Sequence, residues 1–110
     1  MAIDEELRGR VREQLKSLRK IEEKSMFGGI CFMWRGNLLC GVSHDTLLVR
    51  IAKEDFDDYI REKGAKPMVM SGRRSGKNWI RVDKAVLDRD AALQKWIDRA
   101  REFVSTLPAK

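Results

Sequence analysis

The stretch MFGGICFMWRGNLLCGVSHDTLLVRI, Met26 to Ile51, decides the fold. It is apolar at most positions, contains no proline, and is interrupted at Gly28-Gly29, Gly36-Asn37 and Ser43-His44-Asp45. Apolar runs of about five residues bounded by turn residues read as strands, so the spacing predicts a three-stranded meander. Ile30, Phe32 and Trp34 then point to one side of the first strand and Cys31 and Met33 to the other. Leu47, Val49 and Ile51 oppose Leu48 and Arg50 in the third. Both faces are largely apolar, and a sheet of that kind needs cover on both.

A two-residue loop at Gly36-Asn37 with glycine first, as a type II′ turn prefers, pairs Met33 with Cys40, Phe32 with Gly41 and Cys31 with Val42. Cys31 and Cys40 then share a face as diagonal neighbours roughly 7–8 Å apart, an awkward separation for a disulfide. Neither belongs to a C-x-x-C pair or lies near a histidine cluster. Buried, reduced thiols are expected.

Working outward, Asp4 to about Lys20 reads as a helix, with Leu7, Val11, Leu15 and Leu18 at helical spacing and Asp4, Glu5 and Glu6 at the positive end of its dipole. Ile21 to Ser25 has a weak pattern and reads as a short extended lead-in. Glu54 to Lys63 reads as a second helix stopped by Gly64. Lys66 to Met70 and Trp79 to Val82 read as two more strands, joined by the loop Ser71-Gly72-Arg73-Arg74-Ser75-Gly76-Lys77-Asn78. The last helix is capped by Asp88 or Asp90, carries Leu93, Trp96, Ile97, Ala100, Phe103 and Val104 on one stripe, and ends near Leu107. The predicted class is α+β, with a mostly antiparallel sheet of about five strands in the order α-β-β-β-α-β-β-α. Residues 1–110, with 43% hydrophobic composition, suit one domain with one core.

The net charge of +6 comes from 23 basic and 17 acidic residues. Residues 63–82 hold Lys63, Lys66, Arg73, Arg74, Lys77 and Arg81 and no acid, so that segment accounts for the whole excess. The amino terminus is charged from Asp4 onward and matches no signal peptide, and no long uncharged apolar segment occurs. A cytoplasmic protein with no membrane contact is expected.

Candidate chemistry is sparse. Gly28-Gly29 supplies positive φ or close packing more readily than a ligand site. His44, the sole histidine, lies in a turn without the partners that a metal site or a catalytic triad needs. The Gly72–Lys77 loop is glycine-rich and cationic, features suited to phosphate. It is not a Walker loop, because three residues separate Gly72 from Gly76 where that motif has four, and Asn78 follows Lys77. Arg73, Arg74, Lys77 and Arg81 are the candidate anion or nucleic-acid contacts, with a merely solvated loop as the bland alternative. Trp79 beside them reads as core before it reads as a base-stacking platform. The acids cluster as Glu5/Glu6, Asp57/Asp58 and Asp88/Asp90, which are capping and solubility patterns. With no nucleophile set beside a base, no catalytic, cofactor or metal residues are expected.

Met26-Phe27-Gly28-Gly29 at the head of the meander, Gly36 and Gly41 within it, Leu48-Val49-Arg50, Pro67-Met68, Gly72-Arg73, Trp96 and Leu107-Pro108 together resemble the TfoX amino-terminal domain family, named for bacterial competence regulators. The resemblance spans almost the whole chain. It implies a helix, an antiparallel sheet and covering helices related to the secretion-chaperone fold. It also implies a regulatory rather than catalytic role, since it carries over no catalytic residue. The named regulators resemble this chain but have an additional carboxy-terminal domain, which residues up to Lys110 do not contain, so a direct role in competence is not expected. Arg74 stands where relatives often have proline, making this loop more basic.

The resulting expectation is a non-enzymatic regulatory or adaptor domain working through an unidentified protein partner. A homodimer is expected through the sheet face that the first and last helices leave uncovered, with the second helix at its edge and Met33, Met68 and Met70 in the contact. The alternative is a nucleic-acid-binding regulator using the basic hairpin at residues 71–78, weakly and without sequence preference.

Overall fold

The computed structural model describes residues 4–26, 29–44, 46–70, 73–74 and 77–108, without the side chains of Met26, Val69, Met70, Arg73 and Arg74. Phe27, Gly28 and Gly72 of the motif set therefore lie outside the described residues.

Helix α1 is Glu5–Leu15, shorter than expected, with Asp4 as its cap accepting from the Leu7 N–H at 2.9 Å. Strands β1 (Ile21–Met26), β2 (Gly29–Trp34), β3 (Asn37–Ser43) and β4 (Thr46–Arg50) follow. The lead-in is thus a full strand, paired with β2 along its whole length, and the meander has one strand more than its apolar pattern indicated. Its sequence, IEEKSM, hides this because an edge strand beside solvent carries charge where an inner strand carries valine or leucine.

A 3₁₀ turn at Lys53–Asp55 and a single α-helical turn, α2 (Phe56–Tyr59), replace the longer second helix expected over 54–63. Strands β5 (Ala65–Pro67), β6 (Val69–Met70), β7 (Arg73–Arg74) and β8 (Trp79–Asp83) come next, then a 3₁₀ turn at Lys84–Val86 and α3 (Asp90–Val104). The expected fourth strand is split at Met68. Its first part pairs with β8, and its second forms a two-stranded ribbon with β7. Neither Asp88 nor Asp90 caps α3, whose N-cap position is Arg89 without a side-chain bond.

The main sheet is antiparallel and six-stranded, in the order β1-β2-β3-β4-β8-β5. The β2–β3 register differs from expectation. Trp34 pairs with Asn37 around a loop of Arg35 (φ 55°) and Gly36 (φ 82°), both left-handed as a type I′ turn demands. The turn therefore sits one residue earlier than a glycine-first loop would place it. A bulge beside Phe32 and Met33 then gives Leu39 no partner and sets Cys40 opposite Phe32 and Gly41 opposite Cys31. Directly paired residues share a face, so the two cysteines lie on opposite faces, not on one. Both are free, buried thiols.

One core fills the first face. Phe32, Leu39, Cys40, Val42, Leu47, Val49, Ile80 and Val82 of the sheet meet Leu7, Val11 and Leu15 of α1, Phe56 of α2, and Leu93, Trp96, Ile97, Ala100 and Val104 of α3. Tyr59 meets Trp96 edge-on at 6.1 Å, so α2 packs with α3. Every buried residue of the three helices belongs to this core. Cys31, Leu48 and Met68 are buried outside it.

Candidate functional site: the second face of the sheet and the basic segment

The strand registers trace one continuous row across the second face. Lys24 pairs with Cys31, Cys31 with Gly41, Gly41 with Leu48, Leu48 with Arg81, and Arg81 with Lys66. Its centre is small and apolar, and its ends are cationic. A Cβ on Gly41 would lie 3.4 Å from the Cys31 Sγ and 3.1 Å from the Ile30 carbonyl oxygen, so the glycine keeps the middle of the row shallow. Gly29 lies closer still: a Cβ there would lie 2.3 Å from the Val42 carbonyl oxygen. Of the Gly28-Gly29 pair, the described residue is therefore glycine for close backbone approach, without a positive φ.

The basic residues are less free than their sequence suggests. Arg81 donates to the Thr46 hydroxyl at 3.2 Å, Lys77 lies 3.6 Å from Asp57 of α2, and Lys66 lies 3.1 Å from Asp83. Residues 63–82 contain no acid, yet the fold brings acids to them from both flanks. Arg73 and Arg74 form strand β7, paired with β6; their side chains lie outside the described residues.

Arg50, part of the motif set, is a structural joint. The β3–β4 ladder ends at the Cys40–Val49 pair, and the Arg50 guanidinium reaches past it to the Leu38 carbonyl at 3.4 Å while lying 5.5 Å from the Trp79 ring and 5.8 Å from that of Phe103. Trp79 is thus half-buried against a cation. The motif's Leu107-Pro108 end is explained by Asn37, buried and donating to the Pro108 carbonyl at 2.9 Å, which holds the chain after α3 on the first turn of β3.

Chemistry elsewhere is structural. His44 is exposed in its turn at φ 54°, and its carbonyl accepts from the Asp4 N–H at 2.7 Å. Burial pushes the Cys40 thiol far above its ordinary range, with Cys31 adding to the shift, and burial raises Cys31 as well. Neither is poised as a nucleophile. A hollow of about 290 Å³ between α2 and the end of α3 gathers Glu54, Asp55, Glu102, Tyr59 and Arg99. Burial first, then Asp55, raises the Tyr59 hydroxyl, so that group holds its proton. No group of three or more His, Cys, Asp or Glu side chains suited to a metal occurs among the described residues. No described helix is long and apolar enough to cross a membrane.

Signals in the sequence pointed to the basic segment but not to the row. Its members come from six strands, and only register aligns them. A family model described as the TfoX N-terminal domain matches residues 13–104. No curated protein and no solved structure matches the chain.

Proposed function

The chain belongs to the TfoX N-terminal domain family, and from that premise we propose that it is a non-enzymatic regulatory or adaptor domain that binds a protein partner on the second face of its sheet. The observation that carries this reading is the disposition of the helices. All their buried side chains lie on the first face, and the second carries a row whose recessed centre, Cys31, Gly41 and Leu48, is flanked by the cations Lys24 at one end and Arg81 and Lys66 at the other. A partner segment with acids for the cationic ends fits that surface.

Site-specific photocrosslinking tests it. A crosslinker at Lys24 or Lys66 is expected to capture one discrete protein other than a second copy of the chain, whereas one at Gln94, exposed on α3, is not. Equal capture from all three positions, or capture of nucleic acid alone, defeats the reading.

The second reading, contact with nucleic acid, draws on Arg81 and Lys66 being paired neighbours on the second face. A shift assay over a salt series separates the two, because polyanion binding weakens steeply with salt.

A further inference from the structure

Sheet edges differ in how open they are. At one end β5 is three residues long and finishes in Pro67, which has no N–H to offer. At the other, β1 runs six residues, Ile21–Met26, with Glu22, Glu23, Lys24 and Ser25 exposed and no strand on its outer side among the described residues.

The direction of its free groups can be read from one bond. The Arg35 N–H donates to the Lys20 carbonyl at 3.3 Å, which makes Lys20–Arg35 a hydrogen-bonded pair of the β1–β2 ladder. Antiparallel ladders alternate, so Glu22 and Lys24 turn their backbone groups toward β2. Ile21, Glu23 and Ser25 turn theirs outward.

We propose that β1 pairs antiparallel with β1 of a second copy of this chain, centred on Glu23, so that the sheet continues through a two-fold axis. That register alone sets all three outward-facing residues in hydrogen-bonded positions: Glu23 opposite the partner's Glu23, Ile21 opposite the partner's Ser25, and Ser25 opposite the partner's Ile21. Each such pair exchanges both of its backbone bonds. On the second face the same register sets Glu22 opposite the partner's Lys24 and Lys24 opposite the partner's Glu22. Opposite charges directly across a strand pair stabilise it, and like charges oppose it.

The one like-charge contact is already compensated. Glu23 accepts from Arg12 at 2.7 and 2.9 Å and from Arg8 at 3.0 Å, so each copy brings two guanidiniums to its own central carboxylate. A lysine on an edge strand ordinarily blocks pairing with any passing strand. Here an acid two residues away makes the edge repel other sequences yet complement itself. A face-to-face dimer of the kind expected from the sequence would set the cationic ends of two rows against each other. Edge pairing instead makes the two second faces continuous and leaves the Arg81 and Lys66 end of each free for the partner.

Strand pairing alone buries less than a standard interface, so the dimer dissociates at about 10–100 µM and weakens with salt. Sedimentation equilibrium tests it with exposed substitutions that leave the fold intact. Glu22→Lys alone and Lys24→Glu alone should each weaken self-association about tenfold or more by facing like charges. The double variant carrying both restores it, and an equimolar mixture of the two single variants forms a heterodimer. In the parent, amide exchange at Ile21, Glu23 and Ser25 slows as concentration rises. A parent that stays monomeric to about 1 mM, single reversals without effect, or a double variant that does not recover overturns the proposal.

Discussion

Gly29 and Arg35 show backbone geometry overruling side-chain preference at single residues. Gly29→Ala places a Cβ 2.3 Å from the Val42 carbonyl oxygen, and backbone on both strands must shift to admit it. The expected cost is about 1–3 kcal/mol. Gly41→Ala, whose nearest atom is at 3.1 Å, should cost less. Thermal melts of the two variants check the order, and equal effects would remove the distinction. Arg35 holds φ 55°, with its N–H on the Lys20 carbonyl at 3.3 Å and its guanidinium 5.7 Å over the Trp34 ring. Arg35→Asn creates the Asn-Gly turn suited to type I′ and should stabilise the protein by about 0.5–1 kcal/mol in chemical denaturation.

At the scale of elements, α1 is held to the sheet by charge on both flanks as well as by its apolar stripe. Lys84 contacts Asp4 at 2.6 Å and Glu6 at 3.2 Å on one side, while Glu23 of β1 holds Arg12 and Arg8 on the other. Arg12 and then Arg8 lower the Glu23 carboxyl, Lys84 and the Leu7 N–H lower Asp4, and Arg99 and then Lys95 lower Glu62 where α2 meets α3. Folded-state values depressed below the unfolded ones give stability that is present above the unfolded carboxyl range and lost as pH falls through the folded values. The melting temperature should therefore fall as pH drops below about 4–5. Glu23→Gln should flatten part of that fall while lowering stability at neutral pH, and an unchanged acid limb would show that the pair contributes nothing. Arg99, with its guanidinium 4.0 Å from the Tyr59 ring and 4.7 Å from that of Trp96, is not replaceable by lysine. Arg99→Lys keeps the charge but loses the planar stack, and should destabilise by about 1 kcal/mol.

For the molecule as a whole, the fold decides how much of the +6 is available to a partner. Lys77 and Lys66 are matched by Asp57 and Asp83, so any polyanion must compete with these contacts. Binding to duplex DNA, if the second reading holds, should show a log-affinity slope against log salt of about −2 to −3. Replacing Arg73, Arg74 and Lys77 with serine should abolish it with little change in melting temperature. The cysteines report on the whole fold in another way. Cys40 is fully buried, and its labelling by a thiol reagent should track global unfolding measured by denaturant, with no fast phase in the native state.

The apolar periodicities of Met26 to Ile51 and Leu93 to Val104, and the ordered motif set, were enough by themselves for the α+β class, the antiparallel sheet and the family. These are local signals, and burial on a packed face enforces them directly. Strand β1 was legible only as a weak extended lead-in over Ile21 to Ser25, because an edge strand beside solvent loses the apolar alternation by which strands are recognised. The second helix read too long because helical spacing over 54–63 does not reveal where Phe56 and Tyr59 must turn to meet the core and Trp96. The register of β2 with β3 depended on a left-handed Arg35 and a bulge at Leu39, neither of which carries a residue signature. The Lys24-to-Lys66 row depends on that register and on four others, and the acids that meet the basic segment come from 57 and 83, outside it or at its border. Composition locates charge along the chain, but only the folded sheet decides which charges become neighbours, because strand pairing joins residues that the chain keeps apart.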